Sequence, residues 1–227
     1  KKERNEKDLW IVVVTVSNGF DDMFYNWFYW YQKLNLNMKL IMIAEDSKTY
    51  IKYKKKFQST FHDTFQNNID VYKSNGVQFK NEKSLTYNSS DYKTLVSKRP
   101  MHLLRVFNLS YTHIIYTDVD TVWLKDPRVF LKGNYDFYAQ MDFTINETIR
   151  HAYCTGFLAF VKTSATLMLL NKWNEQLQFN HRLNQPVFND IVQKMKNTVR
   201  PKSLPSNRFP SGKLHFKEHY ERNKILN

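Results

Sequence analysis

Two carboxylates one residue apart, Asp118 and Asp120, stand at the end of the apolar run His113-Ile-Ile-Tyr-Thr117. Two acids that close repel each other unless a cation offsets their charge. A hard divalent ion such as Mg2+ or Mn2+ suits such oxygen ligands and keeps coordination positions for water and substrate phosphates. Alternate residues of an extended segment point the same way, so the sequence reads as presenting both acids to one side. The same residue types also serve as solvated turn aspartates. The apolar strand before them, and the segment Val122-Trp-Leu-Lys-Asp-Pro127 that returns to the core after them, favour a site.

Elements that would position these acids are legible along the chain. Leu9 to Val16 is short, β-branched and apolar throughout, as expected of a central parallel strand covered on both faces. It ends at Ser17-Asn18-Gly19, and Asp21-Asp22 are placed to cap a helix through Lys33. Further strands are expected at Met38–Ala44, within 69–80, and at His113–Thr117, Tyr135–Met141 and Gly156–Val161. Helices are expected through Phe57 and over 91–109, 164–179 and 186–196, with Pro100 marking a kink or a fresh start. The stretch after 200, Arg-Pro-Lys-Ser-Leu-Pro-Ser-Asn-Arg-Phe-Pro-Ser-Gly, reads as loop. Strands alternating with helices argue an α/β layered sheet, with acids at the carboxyl end of a strand where such sheets bind ligands. Residues 1–8 read as a charged, stem-like segment and 9–227 as a single domain.

Of 227 residues, 42% are hydrophobic and 16% aromatic, enough for a sizeable core. A net charge of +13 suggests an anionic partner. A nucleic-acid module would cluster Lys and Arg with interleaved aromatics on one face. Here the basic residues are scattered, and the one tight run, Lys52-Tyr-Lys-Lys-Lys56, reads as a solvated helix face. Cys154 is the only cysteine, which excludes an intrachain disulfide. No apolar run approaches the roughly 20 residues needed to span a bilayer. Sequons occur at Asn88, Asn108 and Asn146.

The run Tyr-Thr-Asp-Val-Asp-Thr-Val-Trp-Leu-Lys-Asp-Pro resembles the D-x-D segment of GT-A glycosyltransferases. In particular it is similar to the nucleotide-diphospho-sugar transferases of glycosyltransferase family 77, relatives of the family 8 galactosyltransferases. SNGFDDMFYNWFYW, SKRPMHLLRVFNLSYTHIIY, CTGFLAFVKTSAT, LNQPVFNDIV and LPSNRFPSG resemble further segments of that family in collinear order. Cys154 stands where the family usually has Asn, and Asn184 where it often has Asp. The family's C-terminal segment, whose His is the third metal ligand, is not found before residue 227, and His215 is the conceivable substitute.

The resemblance implies a GT-A fold, with a mixed, mostly parallel sheet flanked by helices. It implies retaining transfer of a galactose-, xylose- or arabinose-class sugar from a UDP-sugar to a glycan or glycoprotein hydroxyl, with Mn2+ or Mg2+ held by Asp118 and Asp120. Asp118 would also reach the nucleotide ribose. Thr15, Ser17 and Asn18 would hold the nucleobase, and their residue types equally make a strand-to-helix turn. Lys98, Arg99 and Arg105 on the helix before the D-x-D strand could contact phosphate or sugar, with Arg105 favoured. Gln185 would stabilise positive charge on the sugar through its amide oxygen, with Asn184 beside it. Asp142 would contact sugar hydroxyls or acceptor, and Gly156 would allow close backbone approach at the sugar pocket. The family and the stem-like start imply the luminal part of a type II Golgi membrane protein whose anchor lies outside this chain. An inactive nucleotide-sugar-binding relative is the alternative, and a nucleic-acid-binding domain a weaker one.

Overall fold

In the computed structural model, residues 8–58, 68–74, 85–142, 152–179 and 182–212 are described. Seven strands form one sheet: β1 (Trp10–Val16), β2 (Lys39–Ala44), β3 (Ile69–Lys73), β4 (His113–Thr117), β5 (Phe137–Asp142), β6 (Ala152–Val161) and β7 (Pro201–Ser203). Their order is β3-β2-β1-β4-β6-β5-β7. β1 pairs parallel with β2 and β4, β2 with β3, and β5 with β7, while β6 runs antiparallel between β4 and β5. The sheet is therefore mixed and mostly parallel.

β1 shows why the apolar run is continuous. Val12, Val14 and Val16 face one core layer, while Ile11 and Val13 face the other. The first layer is closed by α1 (Asp21–Lys33) and α2 (Ser47–Gln58), which bury Phe24, Trp27, Phe28, Tyr31, Tyr53 and Phe57. The second is closed by α4 (Arg99–Phe107), α5 (Ser164–Phe179) and α6 (Asn184–Lys194), through Leu103, Phe107, Leu169, Trp173 and Phe188 among others. A strand covered on both sides has no polar face to alternate, which is the pattern the sequence shows. The Lys52–Lys56 run lies on α2, whose Tyr53 and Phe57 point inward while its lysines point outward, except Lys54, which is half-buried.

Pro100 makes a fresh start. α3 (Ser90–Ser97) ends before it, and α4 carries it in its first turn, where the missing N–H has no intrahelical partner to lose. The expected cap at Asp21-Asp22 is corrected. Phe20 occupies the N-cap position and makes no side-chain bond, while both aspartates lie in the first turn. Their charge suits the helix dipole there. The Asp21 carboxylate accepts from Lys52 Nζ at 2.6 Å and Tyr53 Oη at 2.8 Å, tying α1 to α2. β7 falls in the stretch read as loop. Its three residues, Pro201, Lys202 and Ser203, pair parallel with β5, and a proline, a lysine and a serine gave no strand pattern.

Candidate active site

β1 and β4 end side by side, and the chain leaving each of them forms one cleft. Its walls are Thr15, Val16, Ser17, Phe20 and Met23 after β1, Glu45 after β2, Tyr92, Leu95 and Val96 on α3, Arg99 on α4, and Asp118, Val119 and Asp120 after β4. Asp118 and Asp120 both line it. They do so from a turn, not from extended strand, because β4 stops at Thr117. The turn is fixed by Thr117 Oγ1 and Thr121 Oγ1, which both donate to the carbonyl of Asp118.

Asp118 is held on three sides. Arg99 Nη2 donates to its Oδ1 at 2.6 Å, and Tyr116 Oη donates to the same oxygen at 2.8 Å. The guanidinium also lies over the Tyr116 ring, 4.5 Å from its centre. Burial works against the Arg99 charge, but the Asp118 carboxylate and the other groups around it together outweigh burial and keep the guanidinium firmly protonated. Burial likewise keeps the Tyr116 hydroxyl protonated, so it remains a donor. On the third side is Gly156, whose carbonyl accepts the Asp118 N–H at 2.7 Å. A Cβ at Gly156 would sit 3.0 Å from Asp118 Oδ2. Asp120 is exposed at the rim, yet the surrounding protein, and then the Asp118 charge, raise its carboxyl above the usual range. Two acids whose mutual repulsion shows in this way are suited to share a cation.

The other residues read from the sequence fall into two groups. Thr15 and Ser17 line the cleft, with Thr15 Oγ1 3.1 Å from Tyr116 Oη. Asn18 stands just past them, its backbone N–H donating to Asp46 Oδ2 at 2.8 Å. Gln185, Asp142 and Asn184 gather on the β5–β6 side. Gln185 Nε2 donates to Asp142 Oδ2 at 2.9 Å, and its Oε1 accepts the Thr155 N–H at 3.1 Å. The amide oxygen expected to face a sugar is therefore already engaged by backbone. Asn184 is buried at the start of α6; its carbonyl accepts from Trp173 Nε1 and its Nδ2 has no partner among the described residues.

The two groups are one network. Thr155 gives its N–H to Gln185, and its carbonyl accepts Arg99 Nη1 at 2.7 Å. A single residue of β6 thus joins Asp118–Arg99 to Gln185–Asp142 through its two backbone polar groups. At Cys154, next in the strand, burial pushes the thiol up to about 11, which disfavours the thiolate.

Arg105 is corrected. It is exposed and lies outside the cleft, whereas Arg99, six residues earlier and one helix face round, reaches Asp118. Proximity in sequence to the strand favoured Arg105, but α4 turns its Leu103 and Phe107 stripe to the core, which leaves Arg105 in solvent. Sequence reasoning also missed Glu45 and His102. Both are buried, and His102 Nε2 lies 2.9 Å from Glu45 Oε1. An acid and an imidazole that far apart in the chain carry no shared local signal. His215 lies outside the described residues, among which no group of three His, Cys, Asp or Glu could hold a metal ion.

The family model for nucleotide-diphospho-sugar transferases matches residues 35–226. The chain belongs to this family. Among curated relatives of this nucleotide-diphospho-sugar transferase, UDP-D-xylose:L-fucose alpha-1,3-D-xylosyltransferase 3 of Arabidopsis thaliana is 28% identical, covering 91% of this chain and 56% of the relative. The similarly named xylosyltransferase 1 is 26% identical, covering 91% of this chain and 60% of the relative. The chain thus spans less than two thirds of the length of these relatives. The crystal structure of glycosyltransferase GlyE from Streptococcus pneumoniae superposes with a TM-score of 0.57 at 11% identity, covering 96% of this chain and 51% of that one. That likeness supports the GT-A fold.

Proposed function

We propose that this chain is the catalytic region of a retaining UDP-sugar glycosyltransferase that acts on a glycan or glycoprotein hydroxyl. The observation that carries the reading is Asp118 and Asp120 at the mouth of a cleft beyond the strand ends, with one Asp118 oxygen fixed by Arg99 and Tyr116. In open α/β sheets ligands bind there. The donor set is two hard carboxylates, which fits Mn2+ or Mg2+ better than a softer ion. Asp118 and Asp120 would hold such an ion, and its chemistry is Lewis-acid neutralisation of the charge that develops on a leaving diphosphate.

What the chain itself supplies is orientation. Arg99 and Tyr116 hold Asp118 in one rotamer, so little reorganisation is left for the moment of reaction. Gly156 leaves room beside Asp118 Oδ2, where a side chain would crowd the donor's sugar and phosphate. Thr15, Ser17 and Asn18 supply polar groups on the nucleoside side. Gln185 fixes Asp142 for a sugar or acceptor hydroxyl, with Asn184 packed behind it, and acts as a positioning residue more than as a direct stabiliser of the oxocarbenium ion. The relatives' names give a UDP-xylose donor and a fucose acceptor, so a xylose-class donor is the first to test, ahead of galactose and arabinose. A Golgi luminal setting fits the same family. Among the described residues no helix is long and apolar enough to cross a membrane, so an anchor would be contributed from outside them.

The test is calorimetric titration of UDP-xylose, UDP-galactose and UDP-arabinose, with and without Mn2+, into the chain and its Asp118→Ala variant. We expect Mn2+-dependent binding of one donor, transfer activity with it, and loss of activity by at least about 100-fold in the variant. Binding without turnover favours the inactive relative. A folded protein that binds none of the three overturns the donor reading.

A further inference from the structure

We propose that Glu45 is a positioning residue for Arg99: through Lys98 and His102 it locks the rotation of α4 about its axis, and so aims the Arg99 guanidinium at Asp118. Its consequence for catalysis rests on the nucleotide-sugar reading above, whereas the lock itself is a matter of geometry.

Arg99 is the first residue of α4, and little in its own segment fixes where it points. Lys98 ends α3 and stands at the N-cap of α4 at once, and its side chain makes no capping bond. Pro100 follows and has no N–H to give. Leu103 and Phe107 hold α4 against the sheet, but apolar burial is non-directional and tolerates a helix that turns a little about its axis. The guanidinium must nevertheless meet Asp118 Oδ1 at 2.6 Å and the Thr155 carbonyl at 2.7 Å together. Its Nε is buried with no hydrogen-bond partner among the described residues, so the two Nη bonds carry the aim.

Glu45 supplies the missing direction. It leaves β2 with its N–H donated to the Val16 carbonyl at 2.8 Å, so it is anchored to the end of β1. Its Oε1 lies 2.9 Å from His102 Nε2, and its Oε2 lies 3.7 Å from Lys98 Nζ. Lys98 and His102 are four residues apart and share one face of the helix. Arg99 stands about 100° round from Lys98. One carboxylate therefore grips α4 one residue before Arg99 and three after it, which fixes the direction in which Arg99 leaves the helix. The side chains of Glu45 and His102 are 2% exposed and that of Lys98 11%, so water neither screens the tie much nor replaces it.

Three variants test this: Glu45→Gln, Lys98→Met and the two combined. The combination removes both charges, so neither is left buried opposite a neutral group, which is how breaking such a pair destabilises a fold. In the unaltered chain carrying isotope-labelled arginine, NMR should show slowly rotating Arg99 Nη groups, assigned by their loss in Arg99→Lys. We expect those signals to average out in all three variants, while those of Arg128, which is bound to Asp126, stay as they were. With the donor found by the titration above, kcat should fall about 10- to 100-fold while the donor KM stays within about 3-fold. Arg99 signals that persist in the combined variant overturn the lock. Equal loss of the Arg99 and Arg128 signals also overturns it, since Glu45 would then brace the whole fold. Released Arg99 with unchanged kcat removes the positioning role. Released Arg99 in a chain that binds no nucleotide supports the lock and sinks the nucleotide-sugar reading, so the two failures are told apart.

Discussion

At the scale of single residues, the site depends on how closely groups approach Asp118. Gly156→Ala places a methyl 3.0 Å from Asp118 Oδ2 and 3.5 Å from Cys154 Sγ, so the carboxylate must shift. A displacement of this size at a positioned group commonly costs on the order of 100-fold in rate. We expect Gly156→Ala to lower kcat/KM by about that factor while the urea midpoint changes little, measured by initial rates and equilibrium unfolding. Gln185→Ala releases both Asp142 and the Thr155 N–H. Turnover should fall more than donor affinity, because the effect works through orientation in the transition state. Loss of affinity alone would remove that role. D-x-D was legible because two acids beside an apolar run conflict locally with burial. Glu45 was not, because Ala-Glu-Asp after a strand reads as an ordinary turn, and only packing against α4 buries it.

Elements hold these residues through a few buried polar ties, of which Asp136 is the clearest. It stands just before β5, and its carboxylate accepts from the Arg200 backbone N–H, the Arg200 guanidinium and Thr163 Oγ1. β7 and the entry to α5 are therefore tied to the start of β5. Burial alone would raise the Asp136 carboxyl, but these donors outweigh it and hold it below the usual range. With the folded-state value depressed, the tie is fully present above the unfolded carboxylate pKa of about 4 and is lost as pH falls through the lower folded value. Chemical denaturation between pH 7 and pH 2.5 should show Asp136→Asn less stable at neutral pH, with the difference shrinking in acid. A gap that stays constant with pH would assign the effect to packing. Helices α5 and α6 were readable because each carries an apolar stripe. β7 was not, since three residues are too few to show a periodicity.

Over the whole molecule, a net charge of +13 is spread across separate surfaces. Lys39 pairs with Asp70, Lys52 with Asp21, and Arg182 with Asp190, all on the outside. Such a distribution binds polyanions loosely and without a defined groove. We expect retention on immobilised RNA to vanish by about 0.3 M salt, as for non-specific phosphate contacts, and to be unchanged by Asp118→Ala. Salt-resistant binding that competes with UDP would reopen the nucleic-acid reading.

The sequence by itself determined the layered α/β class, the strand that carries the acids, and the acids themselves. Each of these is written in local pattern: β-branched runs, helical stripes, and charges placed against apolar neighbours. Only the tertiary structure decided which cation on α4 meets Asp118, that Thr155 links Arg99 to Gln185, and that Glu45 lines the cleft. Those facts depend on helix rotation and on contacts between segments tens of residues apart, and no local spacing encodes either.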